Sequence, residues 1–541
     1  MLETRVLGGE GSHRSVLGGT STTRARRISL MTVIAVGIIL SPWLGVTSLG
    51  IAAVAALGVI IATTADHRGS RLDRWRDKRR WKQRNATGTN MFIPYAQMPP
   101  DLADLADSGE KLTSEQRAAL GAYRDFPDGI DGFGWLCAEP GVPGIAVHMP
   151  IGEEHYVSVV FSVAGQVRGQ EGDDYLNSAM RAFGDCLSRY GPANRLPARL
   201  QVLTRVVPFD PDPHYAWVAQ RLADDDISEL LAASYEDVVE QVTGGGLVQR
   251  HFVVVRWPVT DTFVAEAEHY GQGIDGWKGL MDTEVRSVHA ALANARLGKV
   301  EALSAARVTA VLRHMQLPCW EMDQAGSADP FDPWLPSWDE WGCVWNSGPG
   351  PEGDIHHWAH RTAEIPVDAI GTEARDCMWV TPLLSQLNEP VIRTLSFQIE
   401  LIPAGQARRQ ARRDVTDDRA KILSSQEAGQ MVDEDTDMML SAAETRLRDL
   451  APGGRQHGVG WVGHITVSAP TKDLLERGTR VIADAAVEAG IDRLRWLDTY
   501  QAGAAACTWP VARGMAPIAA PLGATLLSWA SGSQKTKEPA A

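Results

Sequence analysis

The chain has 541 residues, with 52 Lys+Arg against 67 Asp+Glu and a formal net charge of −15. That balance is unsuited to wrapping DNA, which needs basic side chains to replace the counterions along its phosphates. Six widely spaced cysteines without a C-x-x-C pair exclude a disulfide framework and a zinc knuckle, and point to buried thiols in a reducing compartment.

In chain order, an amino-terminal tail (1–27) precedes a run, 28–65, of 38 residues without a charged side chain. One span needs about 20 apolar residues, so the run predicts a transmembrane helical hairpin broken near Ser41, Pro42 and Trp43. A secretory signal fits less well, because its apolar core is only about 7–15 residues and no cleavage pattern interrupts this run. Basic residues stand on both flanks: Arg24, Arg26 and Arg27 before the run, and Arg68, Arg71, Arg74, Arg76, Lys78, Arg79, Arg80, Lys82 and Arg84 after it. Lys and Arg stay on the cytoplasmic side of a span, so the expectation is a multi-pass protein of the inner (plasma) membrane with its soluble domain in the cytosol. Residues 1–84 hold 14 Lys+Arg against 5 Asp+Glu, and 85–541 hold 38 against 62. The membrane-proximal basic cluster, in segment 66–90, is therefore expected to meet anionic membrane lipids.

The soluble part is long enough for two or three domains. The stretch 156–163 (YVSVVFSV) alternates with period two, 173–190 carries apolar residues at helical spacing, and 200–207 and 250–257 alternate again, with 215–243 read as helical. A first α+β subdomain is placed at 91–288. From 289 to 380 the composition turns to tryptophan, proline and glycine, with Trp320, Trp334, Trp338, Trp341, Trp345, Trp358 and Trp379. This region reads as an irregular insertion packed around its rings, or as a contact for another protein or a membrane surface. A second α+β subdomain spans 381–514: strands at 391–403, 459–468 and 493–497, helices at 472–489 and 501–507, and a helical arm at 404–450. The arm reads as solvated, or as a docking surface. Residues 515–541 form a tail. The fold class expected is α+β, a transmembrane hairpin followed by two layered, split βαβ-like cytosolic subdomains with a long helical excursion.

The search for chemistry is mostly negative. There is no G-x-x-x-x-G-K-[ST] phosphate cradle and no G-x-S-x-G. The glycines at 244–246 and 458–463 lack the context of a dinucleotide fingerprint. His356 and His360 would share a face if helical, at the spacing of zinc ligands, but His357 stands where a metalloprotease carries its glutamate. No catalytic, cofactor-binding or metal-binding residues are assigned, and no cofactor is expected.

The pieces LRHMQLPCW (312–320), HRTAEIP (360–366), VIRTLSFQIELIPAGQARRQARRDVT (391–416), GWVGHITVSA (460–469) and RLRWLDTYQAGAAACTWPVARG (493–514) come in this order after the apolar run. Together they resemble the actinobacterial conjugation-associated (type IV secretion-like) membrane protein family, which itself resembles the non-motor amino-terminal region of type IV secretion assembly ATPases. The resemblance covers most of 28–514. It implies a non-enzymatic structural subunit, membrane-anchored and oligomeric within a conjugative DNA-transfer or type IV-like secretion apparatus. Its partners would be the motor ATPase and other channel subunits; direct DNA contact is not predicted. The alternative is a membrane component of a type VII secretion system.

Overall fold

A computed structural model describes residues 2–6, a few positions between 31 and 66, and residues 69–514 apart from segments 108–110, 168–170, 210–216, 219–227, 244–245, 323–327 and 432–433 and a handful of single positions. Helix α1 (Arg71–Thr87) leads into β1 (Met91–Pro94), α2 (Ser114–Ala122) and β2 (Tyr123–Arg124). Strands β3 (Phe133–Cys137), β4 (Ile145–His148) and β5 (Tyr156–Val163) precede α3 (Asp173–Tyr190), β6 (Arg199–Pro208) and β7 (Leu247–Pro258). Then come α4 (Gly273–Asn294), β8 (Val300–Ala302), α5 (Ala305–Gln316), β9 (Ser337–Glu340), β10 (Cys343–Pro349) and β11 (Ile355–Ile365). The last third holds β12 (Ile392–Ile402), α6 (Ala404–Glu427), α7 (Glu434–Asp449), β13 (Gly458–Ala469), α8 (Lys472–Glu488), β14 (Arg495–Trp496) and α9 (Gln501–Ala506).

The strands form one 14-stranded sheet in the order β2-β1-β9-β10-β11-β13-β12-β6-β7-β5-β4-β3, with β8 beside β5 and β14 beside β11. All its pairs are antiparallel except β1 with β2. This corrects the expectation of two split βαβ-like subdomains. Strand β6 of the first block and β12 of the second would each be an open edge, and they pair with one another in the register Phe397↔Val202. Joining them removes two exposed rows of backbone donors and acceptors. Within residues 289–380, β9, β10 and β11 carry the same sheet onward to β1.

The membrane expectation is also corrected. Among the described residues, no helix is long and apolar enough to cross a membrane. The run 28–65 lies largely outside those residues; what is described there is helical only at 31–33 and 53–59, far below the roughly 20 residues of a span. The transmembrane hairpin and the multi-pass inner-membrane location are not supported.

Period-two alternation sorts the sheet into two faces. On one face Val157, Val159, Phe161, Leu200, Val253, Val255 and Trp257 pack beneath α3 and α4, with Leu280, Met281 and Leu292 buried among them. The same face continues with Leu395, Ile465 and Val467 under α8, against Leu475, Ile482 and Ala485. Helix α8 starts where the Thr471 hydroxyl accepts from the Leu474 amide, and its small residues allow close approach to the strands.

The opposite face is covered by α5 and by the carboxy-terminal segment 498–513. Toward β5 and β7 it is apolar, with Val160, Leu203, Phe252 and Val254 against Val308, Leu312, Trp334, Trp509 and Val511. At the centre it is polar. Gln201, Arg205, His360, Thr362, Thr394, Ser396, Gln398, His464, Thr466 and Ser468 are all buried. Segment 498–513 satisfies much of this row: Gln201 Nε2 donates to the carbonyls of Trp509 (2.9 Å) and Cys507 (3.2 Å), and its Oε1 accepts from Ala512 N (2.8 Å). Ser396 Oγ donates to the Cys507 carbonyl (2.9 Å), and Tyr156 Oη donates to that of Val511 (2.7 Å). Gln501 accepts from Thr362 N (2.7 Å), and Thr466 bridges Thr362 and Thr508 through hydroxyls at 2.7 and 2.8 Å. Buried polar groups must find partners, so the segment acts as a strap holding down the sheet.

Replacing Gln201 with alanine strands buried groups on both sides, at about 1–3 kcal/mol for each group left unpaired. Urea denaturation is expected to show a loss on the order of 4 kcal/mol, together with faster proteolysis within 498–514.

Candidate interaction surfaces

The described residues contain no group of three or more His, Cys, Asp and Glu able to hold a metal. His356 and His360 lie on strand β11 and not on a helix, so four residues separate them by about 13 Å. His356 Nε2 sits 3.0 Å from Asp354, half-exposed. His360 is buried, with Nδ1 accepting from Ser468 Oγ (2.9 Å) and Nε2 donating to the Gln316 carbonyl (2.9 Å). The six cysteines are free, and burial pushes Cys186 and Cys343 up to about 11 and Cys507 to about 12, which leaves them poor nucleophiles.

The polar centre has its own logic. Arg205, 1% exposed, donates from Nη1 to Thr394 Oγ1 (2.9 Å) and Ser468 Oγ (3.3 Å), while its Nε faces His314 Nε2 at 3.5 Å. His314 donates from Nδ1 to the Trp320 carbonyl (2.5 Å), which fixes it as the neutral tautomer with Nε2 free to accept. Burial, reinforced by the Arg205 charge, depresses His314 to about 3; burial depresses His360 and His464 to about 4 each, and lowers His148 well below its ordinary range. Burial likewise lowers Arg205, to about 9. This is the chemistry of a packed polar core: most of its hydrogen bonds close inside the protein, while Arg205 Nη2 and His464 Nδ1 are buried without a partner.

The described members of the basic cluster do not share one environment. Arg68 lies outside the described residues; Arg71, Arg74 and Arg76 stand on α1 with side chains that are not described. Lys78, Arg79, Arg80 and Lys82 are exposed. Arg84 is turned inward, with Nη2 on Asp128 (2.6 Å) and Nη1 on Asp339 (2.5 Å) and the Thr499 carbonyl (3.2 Å), its guanidinium 4.5 Å from the Tyr500 ring. Arg124 pairs with Asp128 from the other side. Burial pushes the Asp339 carboxyl up to about 6 against the pull of Arg84, so the pair is charged at neutral pH. A residue expected at the lipid surface instead ties α1 to β9 and to the start of the strap. Helix α1 ends at Gly88, at φ +71°, where a Cβ would meet the Ala118 carbonyl oxygen of α2 at 1.8 Å.

The tryptophans serve mostly as packing. Trp334 stacks on Trp509 (5.8 Å), Trp338 on Trp345 across β9 and β10 (5.9 Å), and Trp379 meets Phe397 (6.2 Å). The expected arm is present as α6 and α7, joined by Arg419–Glu444 (2.7 Å) and Arg446–Asp414 (3.1 Å) and rooted by Ile402, Ala407, Ala411 and Leu450. Its Arg409, Arg412, Arg413, Asp417 and Leu423 face solvent. No protein family and no curated protein matches the chain.

Two measurements separate the inner from the outer basic residues and probe the neutral histidines. Arg84→Ala leaves Asp339 and Asp128 without their shared partner and is expected to cost about 3–5 kcal/mol in chemical denaturation, whereas Lys82→Ala stays within about 0.5 kcal/mol. On acidification the unfolded chain takes up protons at the ordinary histidine value near 6.5, while folded His314 and His360 do not until about 3 and 4. The histidine contribution to stability is therefore complete above pH 6.5 and falls between there and about 3. His360→Gln should flatten that slope by about 1.4 kcal/mol per pH unit.

Proposed function

We propose that the chain is a non-enzymatic structural subunit of a conjugative DNA-transfer or type IV-like secretion apparatus, docking to its motor ATPase and to other channel proteins. What supports the reading is the convergence of the five segments that carry the resemblance. Strands β11, β13 and β12 are neighbours in the sheet, and 501–512 lies across their polar face. Residues 312–320 close the network through His314 to Arg205, and Gln316 closes it through its carbonyl to His360. The resemblance thus falls on a single packed unit and not on scattered turns. That unit turns its polar atoms inward, and in this reading the α6–α7 pair, with its solvent-facing charged flank, is the element offered for contact.

Affinity purification from the native host, followed by identification of co-purifying proteins, tests the proposal. A transfer ATPase is expected with the unaltered chain and reduced at least several-fold when Arg409, Arg412 and Arg413 are changed to glutamate. Recovery of no secretion or transfer component would overturn it, as would turnover of nucleotide by the purified chain alone.

A further inference from the structure

Helix α1 carries eight Lys and Arg against two Asp on a chain that is otherwise acidic. Its two faces are distinct. Trp81 and Arg84, three residues apart, point into the body: Trp81 meets Trp341 edge-on at 6.1 Å, and Arg84 enters the ion pairs with Asp128 and Asp339. These contacts fix the helix in rotation. Trp75, Lys78, Arg79 and Lys82 follow at i, i+3, i+4 and i+7, the spacing of one helix face, and all four are exposed, Trp75 at 56%. The Arg79 guanidinium lies 5.5 Å from the centre of the Trp75 ring, and among the described residues no carboxylate pairs with Lys78, Arg79 or Lys82.

We propose that this outer face of α1 binds single-stranded nucleic acid, with backbone phosphates on Lys78, Arg79 and Lys82 and a base stacked on Trp75. Phosphate neutralisation beside an exposed aromatic ring is how proteins hold single strands without reading sequence. A bilayer surface fits less well. An interfacial helix buries a continuous apolar face, and here Trp81 is turned inward, leaving Trp75 as the one described large apolar ring on a cationic stripe. The inference does not depend on the secretion reading.

The test uses the intact chain and a fluorescent oligo(dT) of about 20 nucleotides, followed by anisotropy over about 50–200 mM salt. Binding is expected to weaken with salt, and the triple change Lys78→Gln, Arg79→Gln, Lys82→Gln should reduce the slope of log K against log salt by about 2. Trp75→Ala should weaken binding about tenfold with the slope unchanged, and Trp75→Phe should restore most of it. Should the triple variant fail to fold, Lys78→Ala with Lys82→Ala gives the same readout on a smaller scale. Absence of binding at the lowest salt, or binding indifferent to both sets of changes, would overturn the proposal. So would α1-dependent attachment to anionic vesicles, or α1-dependent self-association, without any affinity for the oligonucleotide.

Discussion

The amide of Gln201 is the hinge-pin of the architecture. It sits at the middle of the sheet, on the strand that joins the two halves, and it grips three main-chain groups of the carboxy-terminal segment through both of its polar atoms. A sheet this wide, with a polar strip down its centre, would expose that strip or leave it unsatisfied. The strap resolves the conflict by presenting its own carbonyls, and it fits because its residues near the strip are small: Ala502, Gly503, Ala504, Ala505 and Ala506. A Cβ at Gly503 would press on the Tyr500 ring at 2.2 Å.

Several elements were legible because local signals dominate them. The helix Asp173–Tyr190 and the strand Tyr156–Val163 coincide with the periodic stretches that announce them, and Ile392–Ile402 and Gly458–Ala469 differ from theirs by a residue or two. The strands β9, β10 and β11 were not legible, since tryptophan, glycine and three histidines interrupt their alternation. The polar face of Thr394, Ser396 and Gln398 reads as a solvent face, and it becomes interior through distant partners: Arg205 against Thr394, and the strap, more than a hundred residues away in sequence, against Ser396 and Gln398. The pairing of β6 with β12 is equally non-local, which is why the sequence alone parses into two subdomains.

The basic segment teaches the same lesson on a smaller scale. Arg84 is one cation among many in composition, yet it alone of the described members is drawn into the body by two carboxylates from distant loops and strands. A run of like charges does not say which member is captured. The spacing to Trp81 on the same side of the helix was the one available clue, and it becomes informative only once Trp341 is known to stand opposite.

Strand order has a consequence for biogenesis. Strand β6 finds its second neighbour, β12, about 190 residues downstream, and the strap arrives about a hundred residues after that. At ribosomal speeds of roughly 5–20 residues per second, the first half waits about 10–40 s with an apolar hydrogen-bonding rim uncovered. During that interval the open edge of β6 is a template for mispairing with another strand, a hazard that ends only when β12 is made.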